Sequence, residues 1–173
     1  IWTMQSAYHS LPTIDGVMQV PGQQFAARDV QYDMADDYAQ LKLDIAGAYP
    51  DEANLESWRR TIRLNRDRDI TIADTYILGE KPRKLTLSLM TPCKVKLEQP
   101  GRLLLEDIGG DEPRAAVRVV YDKDKLTANL ESIPVEDSRL RGVWPERITR
   151  ILLEATKPPA QDTWTLKIEP VGR

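Results

Sequence analysis

The sequence predicts an all-β chain, an antiparallel β-sandwich of roughly ten or more short strands with little helix. Three observations carry this: turn residues at strand-length spacing, period-two alternation of apolar and polar residues, and one hairpin whose register can be written out in full. Prolines 82, 92, 100, 113, 134, 145 and 158 fall mostly 8 to 13 residues apart. Proline cannot donate to a β-ladder, so that spacing marks the ends of short strands.

The segments between the turns justify the elements in order. Asp15-Gly16 is a turn signal between Leu11–Ile14 and Val17–Val20, and predicts a first hairpin. Tyr38 to Ile45 alternates through Leu41, Leu43 and Ile45. Asp51 to Glu56, after Pro50, fits one helical turn. Lys84 to Met90 sets Leu85, Leu87 and Leu89 on one face, with Lys84, Thr86 and Ser88 on the other. Gly109-Gly110 is a turn, and Ala115 to Tyr121 is a β-branched run. Pro145 to Ala155 fits a helix through Ile148, Ile151, Leu152 and Ala155, but its Thr and Ile content and the following Pro158-Pro159 favour a strand. Asp162 to Ile168 sets Trp164, Leu166 and Ile168 against Thr163, Thr165 and Lys167. Such alternation is what half-solvated antiparallel strands require.

One pairing follows in detail. With Arg66, Asp67 and Arg68 as a three-residue loop, Leu64 faces Ile70, Ile62 faces Ile72, Arg60 faces Asp74 and Trp58 faces Tyr76. Two opposite charges on otherwise apolar faces then meet. Either alone would be costly to bury, whereas together they satisfy one another. Arg60 and Asp74 are therefore expected to form a structural ion pair in or beside the core.

Composition excludes several functions. The chain of 173 residues carries 24 Lys and Arg against 27 Asp and Glu, a formal charge of −3. No net positive field draws it to nucleic acid or to an anionic membrane. No apolar run reaches the ~20 residues that span a bilayer as a helix. The single cysteine, Cys93, rules out an internal disulfide and a cysteine-based zinc site. The single histidine, His9, leaves little for a histidine-centred site, since a closed zinc site usually needs about four ligands. Asp15, Asp29 and Asp33 could add oxygen ligands, but no spacing motif links them to His9. Asp33, Asp36 and Asp37 lack EF-hand spacing. Tyr8, Tyr32, Tyr38 and Tyr49, with Trp2, could form a sugar-stacking surface or simply pack in and around the core. Arg59, Arg60, Arg63, Arg66 and Arg68 could meet a sulfated or carboxylated sugar, but Asp67 and Asp69 interrupt them and alternation points Arg59 and Arg63 away from Arg60, so a solvated hairpin tip is the favoured reading.

The stretch Tyr8-His9-Ser10-Leu11-Pro12-Thr13-Ile14-Asp15-Gly16-Val17-Met18-Gln19 resembles the histidine-containing segment in the β-sandwich of heparinase II/III-like polysaccharide lyases. There it follows a short serine-containing strand, matched here by Thr3 to Ser6. The similarity continues through Phe25-Ala26-Ala27, Leu43 to Pro50, Trp58-Arg59-Arg60 and Ile72-Ala73-Asp74, covering residues 1 to 78. Ser10 departs from the pattern, standing where the family commonly has Asn.

The resemblance implies that residues 1–173 are a single β-sandwich domain, the C-terminal fragment of a larger protein with an N-terminal α/α toroid. Ile1, with neither an initiator methionine nor a signal segment before it, fits that expectation. Such lyases cleave uronic-acid polysaccharides by β-elimination, in a cleft between the two parts. The implied substrate-cleft residues are Tyr8 and His9. His9 also matches one of two histidines that, with an Asp, hold zinc in some members. The catalytic residues would lie in the toroid, so the chain alone is expected to contain none, to hold no cofactor and to be inactive. The expected partners are an acidic polysaccharide and the toroid, with no nucleic acid and no membrane, in a periplasmic or secreted protein. A non-catalytic carbohydrate-binding module, or a purely structural sandwich, is the alternative.

Overall fold

In the computed structural model, residues 2–107 and 115–172 are described. They form twelve strands: β1 (Pro12–Ile14), β2 (Arg28–Ala35), β3 (Tyr38–Asp44), β4 (Leu55–Asn65), β5 (Asp69–Leu78), β6 (Lys84–Thr91), β7 (Lys94–Gln99), β8 (Arg102–Glu106), β9 (Ala116–Val120), β10 (Thr127–Pro134), β11 (Arg147–Thr156) and β12 (Gln161–Pro170). Helix among the described residues is confined to the single turn α1 (Ser138–Arg141) and short 3-10 turns, one of them Asp51–Ala53. No described helix is long and apolar enough to cross a membrane. The Gly109-Gly110 turn lies outside the described residues.

The strands form two antiparallel sheets, a four-stranded one ordered β1-β6-β11-β10 and an eight-stranded one ordered β2-β3-β4-β5-β12-β9-β8-β7. Their facing sides merge into one core. Leu85, Leu87, Ile151 and Leu153 come from the small sheet, and Trp58, Tyr76, Leu103, Trp164 and Leu166 from the large one. Three of these rings pack on one another. Trp58 stacks on Tyr76 with centroids 5.1 Å apart, and Trp164 meets both edge-on at 5.7 and 5.2 Å. These aromatics give the core large, stiff contact area at little entropic cost.

The β4–β5 register pairs Leu64 with Ile70, Ile62 with Ile72, Arg60 with Asp74 and Trp58 with Tyr76, the alignment expected from the sequence. The ambiguous stretch after Pro145 is the strand β11, hydrogen-bonded on one side to β10 and on the other to β6.

Three local expectations are corrected. Residues 3–6 are not a strand: the chain there makes 3-10 turns at Trp2–Met4 and Ser6–Tyr8. The first hairpin also stops after its turn. Asp15 (φ 49°) and Gly16 (φ 87°) take the left-handed backbone that such a turn demands. The second arm, however, contributes only the Ile14–Val17 bridge. β1 pairs instead with β6, while Pro21 and Gly22 carry the chain away, and Asp15 caps the junction by accepting from the Arg83 and Lys84 backbone N–H groups. Finally, Thr86 and Ser88 are buried, not solvent-facing. β6 is an interior strand, and the Ser88 N–H is taken up by the Leu11 carbonyl from the segment preceding β1.

The unequal sheet widths leave a margin. Cross-strand pairing puts Tyr32, Leu41 and Ile62 on one face of the large sheet, and next to them Met34, Ala39 and Leu64. This is the face that carries the core, yet at the β2 end Tyr32, Met34 and Leu64 are 65%, 59% and 41% exposed.

Candidate functional site

The segment 6–12 lies along the edge of the small sheet and carries both expected cleft residues. Ser6–Tyr8 form a 3-10 turn closed by the His9 N–H donating to the Ser6 carbonyl at 3.1 Å. The Ser6 hydroxyl accepts from the Gln19 N–H at 2.9 Å, so the turn is tied to the chain beyond the Asp15-Gly16 reversal. His9 is exposed, with its Nε2 3.1 Å from the Thr3 carbonyl. A carbonyl only accepts, so this contact requires Nε2 to carry the proton.

His9 stands on a ridge between two hollows. One, of about 300 Å³, lies between the N-terminal turns and the segment around α1, and is lined chiefly by Trp2, Tyr8, Met90, Val135, Leu140 and Trp144. The other, of about 510 Å³, opens toward Met4, Leu11 and Gln19–Pro21. Tyr8 forms one wall of the first. Its ring lies 5.2 Å from that of Trp2 on one side, and the Arg150 guanidinium sits 4.3 Å from its centroid on another. Arg150 also donates to the Ala7 carbonyl at 3.2 Å and pairs with Glu131 across β10 and β11. A small apolar cluster of Ile133, Val135 and Ile148 underlies this hollow. The hollow offers aromatic faces and one imidazole around a concave surface, a chemistry suited to a sugar ring, while the Arg150 guanidinium, neutralised by Glu131, braces Tyr8 from behind the lining.

Arg60 and Asp74 lie beneath the same segment. Arg60 Nε and Nη2 each donate to an Asp74 carboxylate oxygen at 2.7 Å, and the side chains are 8% and 1% exposed. The third donor, Nη1, reaches the Ser10 carbonyl at 2.6 Å. Burial alone would lower the Arg60 pKa, but the hydrogen bonds and charge of Asp74 outweigh it and hold Arg60 more firmly protonated than usual. Beside them the Tyr49 hydroxyl donates to the Pro12 carbonyl at 2.6 Å, and burial pushes its pKa well up.

Other candidates are dispersed. Tyr38 lies on the outer face of the large sheet under the Arg63 guanidinium, 3.7 Å from its centroid, while Tyr49 is buried, so the four tyrosines and Trp2 do not form one platform. Asp15 is committed to backbone N–H groups and Asp33 accepts from Tyr38. Among the described residues no group of three or more His, Cys, Asp or Glu could hold a metal ion. His9 belongs to no such group, and a lone imidazole does not fit a zinc site.

Trp144, which lines the first hollow, and Arg150, which braces Tyr8 and Ala7 beside it, carry no local signal of a site. Arg150 reaches Ala7 across 143 residues of sequence. Only the topology, which places β11 beside β6 and β6 beside β1, brings them there.

No protein-family model matches the chain, and no curated protein matches it in sequence. Solved structures do share its fold. The heparan sulfate lyase HepC from Pedobacter heparinus superposes with a TM-score of 0.73 over 99% of this chain, at 16% identity. A heparinase III gene product gives 0.72 over 98% at 13% identity, and a further heparinase III gives 0.68 over 94% at 12%. The chain spans only 25%, 25% and 23% of those proteins' lengths. From end to end, this is the fold of a quarter-length region of solved heparinases.

Proposed function

We propose that this chain is the C-terminal β-sandwich of a heparinase II/III-like polysaccharide lyase, forming one wall of a cleft for an acidic polysaccharide. The observation that carries the reading is the superposition on the heparan sulfate lyase HepC over 99% of the chain. The residue pattern around His9 is in keeping with it. In β-elimination a base removes the C5 proton of a uronate, an acid protonates the leaving oxygen, and the neighbouring carboxylate must be neutralised. The chain's own part is to bind and orient. Trp144 offers a stacking face, Tyr8 an aromatic wall and His9 a hydrogen bond to the sugar, and the base and acid come from the rest of the parent protein. Alone, the chain binds without cleaving. Any zinc in the parent would need its other ligands from outside this chain. A periplasmic or secreted location follows from the same reading.

The test is to titrate the isotope-labelled chain with heparan sulfate oligosaccharides. Shifts should gather at Tyr8, His9 and Trp144, with no ultraviolet absorbance from an unsaturated product. Shifts confined to other surfaces, or turnover by the chain alone, would contradict the proposal.

A second reading, a sandwich that serves to pack against another domain of the parent, is favoured by the exposed apolar margin at Tyr32, Met34 and Leu64. Under it, Tyr32→Ser with Met34→Ser leaves the isolated chain's stability within about 0.5 kcal/mol, while lowering the yield of the full-length protein. Equal yields would count against this reading.

A further inference from the structure

The segment that presents His9 has almost no regular structure of its own, since β1 begins only at Pro12. Its carbonyls are nonetheless taken up by donors from several distant elements. Arg150 bonds Ala7, Arg60 bonds Ser10, the Ser88 N–H bonds Leu11, and Tyr49 bonds Pro12. Irregular backbone at a protein surface is ordinarily left to water. Fixing it with buried side chains is what a preorganised site requires.

Arg60 is the most demanding of these donors. A buried ion pair is seldom the most stable filling for its space, because two apolar side chains of similar volume serve as well or better. What an apolar pair cannot do is hold a carbonyl. Asp74 takes Nε and Nη2 at 2.7 Å each and so locks the guanidinium plane, and the remaining Nη1 is aimed at the carbonyl of Ser10, the neighbour of His9, at 2.6 Å. The ring is held separately by the Thr3 carbonyl, 3.1 Å from Nε2.

We propose that Arg60, locked by Asp74, is a positioning residue that holds the Ser10 carbonyl and so fixes the direction in which His9 is presented to a bound acidic sugar. The proposal rests on the reading of His9 as a cleft-facing residue. Arg60 itself touches no sugar.

His9 is the only histidine in the chain, so its imidazole gives one assignable set of ring signals. In the nitrogen-15-labelled chain at a pH of about 8, above the ordinary imidazole range, wild type should show a single Nε2–H tautomer. In Arg60→Met/Asp74→Leu the spectrum should stay dispersed while the His9 signals move to averaged tautomers. Arg60→Lys, which keeps the charge but not the fork, should fall between. In Arg60→Lys the affinity for heparan sulfate oligosaccharide should drop roughly tenfold, as for a misplaced binding group. A folded double variant with the wild-type tautomer would overturn the proposal, as would averaged tautomers in wild type. If the double variant does not fold, Arg60→Lys carries the test, and a wild-type tautomer in it would count against the proposal. Oligosaccharide that leaves the wild-type His9 signals unmoved would sink the cleft reading, while the variants' tautomers still report on the tether.

Discussion

Replacing Arg60 and Asp74 singly and together gives the sharpest energetic test of the interlayer. Arg60→Leu leaves the Asp74 carboxylate, 1% exposed, without its guanidinium partner. Its short side chain cannot reach water, so the loss should sit at the upper end of the ~3–5 kcal/mol expected when one member of a buried pair is removed. Asp74→Leu should cost less, about 3 kcal/mol. Arg60 keeps its bond to the Ser10 carbonyl, and its long stem allows the charged head to move outward. The double Leu variant loses the pair but strands no charge. Its main cost is the Ser10 carbonyl, about 1–2 kcal/mol if water partly replaces the donor. The coupling in the cycle should therefore be at least about 4 kcal/mol. Urea denaturation with unchanged slope is the assay. At about 2–4 °C per kcal/mol for a chain of this size, Arg60→Leu should melt lower than the double variant by something on the order of 10 °C. Additive single losses of under about 1 kcal/mol each would refute the reasoning, since an exposed pair behaves that way.

Three further predictions follow from other parts of the fold. Trp58 is fully buried, and among the described residues its Nε1 has no hydrogen-bond partner. Trp58→Ala should lose about 3–5 kcal/mol. Trp58→Phe should stay within about 1.5 kcal/mol of wild type, because shedding an unpaired buried N–H offsets part of the lost area. Denaturant titration of both checks this, and equal losses would show that the N–H carries no penalty. Burial raises the pKa of both Tyr49 and Tyr76, so their neutral form contributes stability that is complete below about pH 10 and is lost as pH rises through their folded values. Alkaline absorbance titration should show these two phenols ionising only as the chain unfolds; ionisation of all phenols near the ordinary value in folded protein would contradict it. At the other extreme, hydrogen bonds from the Arg139 side chain and backbone hold the Asp137 carboxyl down at about 2. The cap it forms on α1 should be intact above the ordinary carboxylate range and lost as pH falls through about 2. Carbon-detected titration measures this directly, and a midpoint near the ordinary Asp value would remove the cap.

The fold was legible where local pattern and global pairing agree. The β4–β5 hairpin could be written out because a one-residue slip would have turned Arg60 and Asp74 to opposite faces and, with them, Trp58 and Tyr76, leaving one charge unpaired and one large ring outside the core. β11 was ambiguous because it has neighbours on both sides and apolar residues on both faces, which blurs the period of two. The N-terminal segment departs from the strand expectation for a different reason. Thr3 to Ser6 and Val17 to Val20 have strand-compatible residues, but the edge of β1 next to β6 was already the better partner, and no sequence pattern states which edges are free. Likewise the buried Ser88 depends on Leu11 supplying a carbonyl from outside any strand.

The candidate site divides along the same line. His9 could be picked out because it is the chain's one histidine and sits before an Asp-Gly turn. Its surroundings could not, since Trp144 follows a four-residue helix and Arg150 lies in a strand that alternation alone would make ordinary. What joins the two halves is the order β1-β6-β11. β6 brings the Ser88 N–H to Leu11, β11 brings Arg150 to Ala7, and from the opposite sheet β4 brings Arg60 to Ser10. The residues that hold His9 thus come from both layers, and a shift of one sheet against the other would pull Ser10 and Ala7 in different directions. A site built this way senses sandwich packing through its backbone. Core substitutions such as Leu87→Ala, at a buried position paired with Pro12, should therefore disturb the His9 signals before they unfold the chain.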